Sequence, residues 1–311
     1  MQNRSLVGGR TRLAAACLFL AAGLACAPRG AAGAGPTVSE RDGGKSVILE
    51  NAHVRLSLCP ARGGIIESIS YRGRELTGGD PEDRGVFNDQ SWFPEKHLFW
   101  RQPFQFKTAA GTNRASVHLW TRNDGGPYPF LALHRTVTLD GSTRVRIDTE
   151  LTLDPSAPDP LEIGLWAHHW LGVAGDTNAY FIPLKGGVTA LIFDPAAQSL
   201  RDSYWHCNPA AGWCGVIGRG SQVGLACNLD RDRLDFVYNW FGDYPVGTLE
   251  WSLLKTPLAP GRSFSTSATL HLFHGLERLD GSFDGLAGAI NAERAYPAPD
   301  PVRLSVALNS A

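Results

Sequence analysis

The segment Gly164–Gly175, GLWAHHWLGVAG, sets two adjacent histidines between two tryptophans inside an apolar run. Imidazole is the side chain whose ordinary proton affinity lies nearest neutrality, so a histidine here could pass a proton to or from a substrate. Strand geometry decides which of the two faces a ligand, because alternate residues point to opposite sides. Glu162, Gly164, Trp166, His168 and Trp170 share one face, and Ile163, Leu165, Ala167, His169 and Leu171 share the other. The second face is apolar and belongs in a core. The first offers indoles that stack on the C–H faces of a sugar and titratable groups that handle its hydroxyls. His168 is therefore the catalytic candidate, with Trp166 and Trp170 as substrate-binding candidates. His169 is expected in the core, hydrogen-bonded to a backbone carbonyl.

The same test on VGTLEWSLL puts Val246, Thr248, Glu250 and Ser252 on one face and Gly247, Leu249, Trp251 and Leu253 on the other. Glu250 thus sits on the more polar face of a strand whose neighbours are apolar. A carboxylate there suits general acid or base work. The alternative is a surface glutamate paired with Lys255 or an arginine.

These strands belong to a longer pattern. From Ser46 onward, short runs rich in β-branched and aromatic residues alternate with Gly, Asp, Asn and Pro, among them SVILEN, LALHRTVTL, TRVRIDTELTL, LDFVYNW and SFSTSATLHLFHG. A dozen such runs without intervening helices predict an all-β domain of two packed sheets over residues 46–280. Asn88–Phe106, NDQSWFPEKHLFWRQPFQF, lacks clean alternation and reads as a long ordered loop, either functional or pinned by aromatic packing alone. Phe283–Tyr296 reads as a short helix, so residues 281–311 are a helix and a loose C-terminal tail. Residues 28–45, rich in Gly, Ala and Pro, read as a flexible tether.

The N-terminus has the form of an export signal over residues 1–27. Arg4, Arg10 and Arg12 precede the apolar run Leu13–Ala25, too short to cross a bilayer as a mature helix. Cleavage near Ala27 or Ala34 and lipidation at Cys26, where GLAC resembles a bacterial lipobox, are both open. Either route places the protein in the periplasm or outside the cell, with membrane attachment only through such an anchor. In an oxidising compartment Cys59, Cys207, Cys214 and Cys227 are disulfide candidates, and Cys207 and Cys214 flank a turn-rich loop short enough to staple. Four unpaired thiols are the alternative. No cysteine or histidine spacing resembles a structural zinc site, and nothing calls for a metal or a cofactor. A formal net charge of −1 gives no electrostatic footprint for nucleic acid. Carbohydrate is the partner to which nine tryptophans point.

Three segments together resemble the galactose mutarotase (aldose epimerase) superfamily. Asn51–Thr77, NAHVRLSLCPARGGIIESISYRGRELT, resembles its opening hairpins, with a turn at a Gly pair. LEIGLWAHHWLGVAG resembles the strand that carries a catalytic histidine, and GTLEWSLLKTPLAPGRSFSTSATLHLF its closing hairpin. The resemblance implies a two-sheet antiparallel β-supersandwich, with His168 as the proton donor and Glu250 as the general base. It departs in three places. Ala167 stands where an asparagine usually precedes the histidine. The segment supplying a second histidine has no clear counterpart, although His97 lies in the right region, with Trp100 and Arg101 beside it as further sugar contacts. The substrate-gripping aspartate could be Asp194, Asp202 or Asp243, each also read as a turn residue.

Three functions remain open on this scaffold. One is a sugar epimerase. Another is a lyase cleaving an acidic polysaccharide by β-elimination, for which Arg101 and Arg72 could neutralise a uronate carboxylate. The third is a non-catalytic carbohydrate-binding module. Whichever holds, intact-mass measurement in the native host should find the chain processed or lipidated before Pro36; an unmodified N-terminus rules out export.

Overall fold

In the computed structural model the described residues are 35–79, 84–124, 126–197, 202–283, 286–291 and 303–308. Alternation of apolar and polar residues is what makes the large strands. Leu131–Asp140 alternates buried and half-buried residues along its whole length, and Arg144–Leu153 keeps the same two-residue period. Each therefore lays one face on a core and leaves the other outward. They pair with each other inside a nine-stranded antiparallel sheet, Leu131–Asp140 also pairing with Arg114–Arg122 and Arg144–Leu153 with Ser263–His274.

Two further sheets share its inner core. A five-stranded sheet runs in sequence order from Thr37–Arg41 to Arg74–Glu75. A six-stranded sheet holds Asn88–Phe93, Leu161–His168, Ser203–Cys207, Leu234–Trp240, Glu250–Leu253 and Thr256–Leu258. One apolar cluster joins all three sheets, with Leu56 and Ile69 from the first, Val117, Leu133 and Leu270 from the nine-stranded sheet, and Ala167, Val237 and Trp251 from the third. A three-stranded sheet of Gly281–Phe283, Leu286–Asn291 and Arg303–Leu308 covers a smaller core that includes Phe181, Trp213, Phe273 and Leu279.

The all-β reading and the two-layer sandwich hold; four local expectations do not. Thr37–Arg41, placed in the tether, is a strand on Ser46–Glu50. Asn88–Phe93, placed in a loop, pairs with Leu161–His168 through a bulge at Gly164/Leu165, and both Asn88 and Ser91 are buried. A bulge and a strand covered on both sides erase the alternation by which a strand is recognised. Leu286–Asn291, placed in a helix, is a strand whose small Ala287 and Ala289 let it lie close to the nine-stranded sheet. Alanine's local helix preference yields there to packing. Beyond it Arg303–Leu308, placed in the loose tail, pairs with it. The expected signal, Cys26 and the first part of the tether lie outside the described residues. Among the described residues no helix is long and apolar enough to cross a membrane.

The four described cysteines, Cys59, Cys207, Cys214 and Cys227, are unbridged. Cys207 ends a strand of the six-stranded sheet and is exposed, whereas Cys214 is buried in the nine-stranded sheet directly opposite Cys227. The candidate Cys207–Cys214 staple therefore does not form, and the alternative of four unpaired thiols holds for these residues. Burial and the adjacent Cys214 thiol raise the Cys227 proton affinity well above the ordinary value, which keeps it a thiol.

One charged residue lies at the centre of this core. Arg135, on Leu131–Asp140, has no exposed surface. Its Nη1 donates to the carbonyl of Gly64 at 3.1 Å and to that of Phe87 at 3.2 Å. Gly64 adopts φ +59°, and a Cβ there would sit 3.1 Å from the Phe104 ring, so backbone and space both favour glycine. Phe87 also has positive φ, 60°, a conformation that a bulky residue keeps only where its surroundings enforce it. The guanidinium thus ties the nine-stranded sheet to the entry of both other sheets. Arg135→Met keeps the side-chain volume but leaves two buried carbonyls without this donor. It should lower the unfolding free energy by about 3 kcal/mol or more in urea titration; a loss within about 0.5 kcal/mol, typical of a surface change, would show that the contact is dispensable.

Candidate functional site

Antiparallel register assembles the site. Leu161–His168 pairs with Glu250–Leu253 so that Trp166 opposes Ser252 and Ala167 opposes Trp251. One step further, the same register sets His168 against Glu250. On its other side His168 opposes Asn88. Glu250 opposes Tyr238, and Tyr238 opposes Trp205. Cross-strand partners share a face. A single row, Asn88, His168, Glu250, Tyr238, Trp205, therefore crosses five strands on the face turned away from the nine-stranded sheet.

The dyad at its centre is close. His168 Nδ1 lies 3.0 Å from Glu250 Oε1. Glu250 is 1% exposed and His168 9%. A carboxylate so far from water is tolerable only beside a cation or a donor, and the imidazole occupies that place. Tyr238 completes the polar part of the row and donates its hydroxyl to Ser203 Oγ at 3.0 Å. Its proton is held more tightly than usual, chiefly through burial and further through the negative charges of Glu250 and Asp202. Tyr238 is thus a neutral hydrogen-bonding group at working pH.

Aromatic rings wall the dyad. On one side Trp166 packs edge-on against Trp92, Phe236 and Tyr238 at 4.5, 5.6 and 5.5 Å, with Trp205 tilted at 5.7 Å. On the other Trp170 meets His168 at 5.2 Å, Trp240 at 5.5 Å and Tyr244 at 4.8 Å. Gly79 presses on the Trp170 indole so closely that a Cβ would lie 2.5 Å from it. Trp166 and Trp170 share the His168 face, as alternation predicts. They are nevertheless 7% and 3% exposed, because other rings cover them. They form inner walls rather than open platforms, and the accessible indole is Trp205, half exposed at 50%.

His169 is fully buried on the opposite face, stacked on Trp251 at 3.9 Å. The expected bond to a carbonyl is reversed. Its Nδ1 accepts the backbone N–H of Phe87 at 2.9 Å, so the ring is neutral and carries its proton on Nε2.

The imidazole of His97 lies 4.9 Å from the Trp100 ring, and the Arg101 guanidinium lies 4.3 Å over the same indole, so these three form a stack of their own. Arg72 is at a hairpin turn and lines a separate cleft of about 590 Å³ with Glu50, Arg55 and His274. Asp194 caps its own turn by accepting from the Ala196 N–H at 3.0 Å, the turn role weighed for it. Trp205, Tyr238 and Asn88 were not singled out from sequence. The alternation test applied to LDFVYNW would have found Tyr238, with Phe236 and Trp240 on its face. Among the described residues no group of three or more His, Cys, Asp or Glu side chains is placed to hold a metal ion.

No protein-family model matches the chain, and no curated protein matches it. Solved structures do share its fold. A protein from Synechocystis superposes with a TM-score of 0.60 at 15% identity, over 73% of this chain and 95% of that one. A galactose mutarotase-like protein from Clostridium acetobutylicum superposes at 0.56 and 10% identity, over 77% and 98%. A galactose 1-epimerase from Lactobacillus acidophilus superposes at 0.52 and 15% identity, over 78% and 98%. The fold is the galactose mutarotase-like β-sandwich, as the three sequence segments imply.

The buried His169 has a consequence for acid stability. Burial first, then the nearby charges of His168 and Arg135, hold its proton affinity well below the ordinary value of 6.5. Below that value the unfolded chain binds a proton that the folded chain refuses, so stability falls as pH drops. Above it the full stability is present. His169→Gln can still accept the Phe87 N–H but cannot titrate. Its unfolding free energy should decline with acidification less steeply than wild type, by up to about 1.4 kcal/mol per pH unit. Parallel slopes for the two proteins would mean that His169 is protonated in the fold.

Proposed function

We propose that the chain is an exported, aldose epimerase-like isomerase acting on a sugar or a modified saccharide, with Glu250 as the base and His168 as the acid. The observation that supports this most is the 3.0 Å contact between the two side chains inside an aromatic wall. A hemiacetal carbon carries its hydroxyl and its ring oxygen as neighbours, so the group that takes one proton and the group that gives another must also be neighbours. Glu250 takes the proton of the anomeric hydroxyl while His168 gives one to the ring oxygen. The ring C–O bond breaks as the carbonyl forms. Rotation about the adjacent C–C bond presents the other carbonyl face, and closure returns both protons. No proton is gained or lost overall. Tyr238 and Asn88, on either side of the dyad, are positioned to hold sugar hydroxyls, and Trp205 offers a stacking face. Export rests on the cationic start and apolar run of residues 1–27.

A second reading, binding without catalysis, draws on the half-exposed Trp205, which would hold a sugar whatever the dyad does. The lyase reading has less support, because Arg72 lines a separate cleft. Glu250→Gln separates the first two. It keeps the shape and removes the proton acceptor, and acid–base groups contribute about 10²–10⁴ in rate. Exchange NMR across a panel of aldoses should show interconversion falling by that factor while sugar affinity changes much less. Wild type that binds a sugar without interconverting it, with Glu250→Gln binding equally well, would make the protein a binding module.

A further inference from the structure

The nine-stranded sheet is covered unevenly on its outer side. The terminal three-stranded sheet packs on Trp213–Gly218, Val223–Leu229 and Ser263–His274. Over the strands Gln105–Ala110 to Arg144–Leu153 the outward face carries a row of a different kind. Gln105 opposes Trp120, Trp120 opposes His134, and His134 opposes Glu150. Two open clefts meet at His134. One, of about 660 Å³, is lined by Gln102, Gln105, Trp120, Arg122 and Asp124. The other, of about 420 Å³, is lined by His118, Arg146, Asp148, Glu150 and Arg233. The groove and the dyad lie on opposite sides of this sheet. Ala167 and Trp251, on the reverse of the His168 face, pack against the inner side of this sheet at Thr149 and Ala268.

Its chemistry is that of a flat, uncharged ligand rich in hydroxyls. Trp120 stacks on His118 at 5.0 Å and 29°, and His118 stacks on His134 at 5.5 Å and 15°. Trp120 has one face against His118 and also lines the larger cleft, with Gln105 and with Gln102, whose Nε2 donates to the Leu98 carbonyl and to Asn123 Oδ1. Hydroxyls of Thr136, Ser265 and Ser267 line the smaller cleft. Burial, then the charge of His134, lowers the proton affinity of His118, so the middle ring of the stack is neutral at pH 7. The arginines are already matched: Arg122 with Asp154 at 3.0 Å, Arg146 with Asp148 at 2.7 Å and Arg233 with Asp230 at 3.2 Å. Glu150 adds a negative charge beside His134. A polyanion finds repulsion here, whereas a neutral sugar finds a stacking face and paired donors and acceptors.

We propose that this outer groove is a second carbohydrate site, binding a segment of a neutral glycan chain across Trp120 and His134. It goes beyond the isomerase reading and does not depend on it. The test uses the full chain labelled with 5-fluorotryptophan, the Trp120 ¹⁹F signal being assigned by its absence from Trp120→Phe. Neutral hexasaccharides of the glucan, xylan, mannan and galactan types are titrated at millimolar concentration, with hexagalacturonate as the charged probe. At least one neutral chain should move the Trp120 signal saturably, and hexagalacturonate should not. Calorimetry should show its affinity lowered at least tenfold by Trp120→Ala or His134→Ala and unchanged by Trp205→Ala, which removes the stacking face beside the dyad. That last arm separates this site from the dyad, since failure of the isomerase reading leaves it untouched. No movement of the Trp120 signal with any neutral chain, or movement with hexagalacturonate alone, overturns the proposal. Equal loss of binding in Trp205→Ala does so too, by assigning the sugar to the dyad.

Discussion

The Phe87 peptide is held at both ends, and the arrangement of the sheets turns on that grip. Its carbonyl accepts from Arg135, which reaches across the core from the nine-stranded sheet, and its N–H donates to His169. A buried polar backbone group must find a partner. Here both partners are side chains, one cationic and one kept neutral chiefly by burial and further by the charges of His168 and of that cation. Phe87 immediately precedes the strand Asn88–Phe93, so its left-handed backbone sets where that strand begins and hence which residue stands beside His168. Position at the site is thus inherited from an interaction on the opposite side of the same sheet.

The site itself joins two demands that usually conflict. A carboxylate used as a base gains from a dry surrounding, yet a dry carboxylate destabilises the fold unless it is matched. Placing His168 opposite Glu250 meets both, since the matching partner is itself a proton carrier. The ring of indoles and phenols keeps the pair dry without spending further charged groups on it. Trp205 is the exposed ring of this wall, and it lies on the edge strand Ser203–Cys207, at the far end of the row from Asn88.

Much of this was legible in the residues. Period-two alternation identifies the strands of the large sheet, because each has one dry and one wet face. It also separates His168 from His169 and puts Glu250 on the His168 side. It fails where both faces are covered. Leu161–His168 is buried from Ile163 to His168, so alternation tells which residues share a side but not that the side is roofed by other rings. Trp166 and Trp170 were read as platforms for that reason. Tyr238, Trp205 and Asn88 come from strands distant in sequence, and only register brings them together. The direction of the His169 hydrogen bond depends on the backbone of Phe87, 82 residues away. Composition says little about such long-range partners.

The facing thiols of Cys214 and Cys227 give the molecule a clock. Both are fully enclosed in neighbouring strands, whereas Cys207 is exposed and Cys59 is part-way between. An alkylating reagent can modify the outer pair from the intact fold. It reaches the inner pair only when the two central strands separate, so the lag before their labelling records how often the sandwich breathes. Any ligand that grips the native arrangement lengthens that lag. A change in labelling time therefore reports occupancy without any assay of turnover, at whichever face the ligand sits.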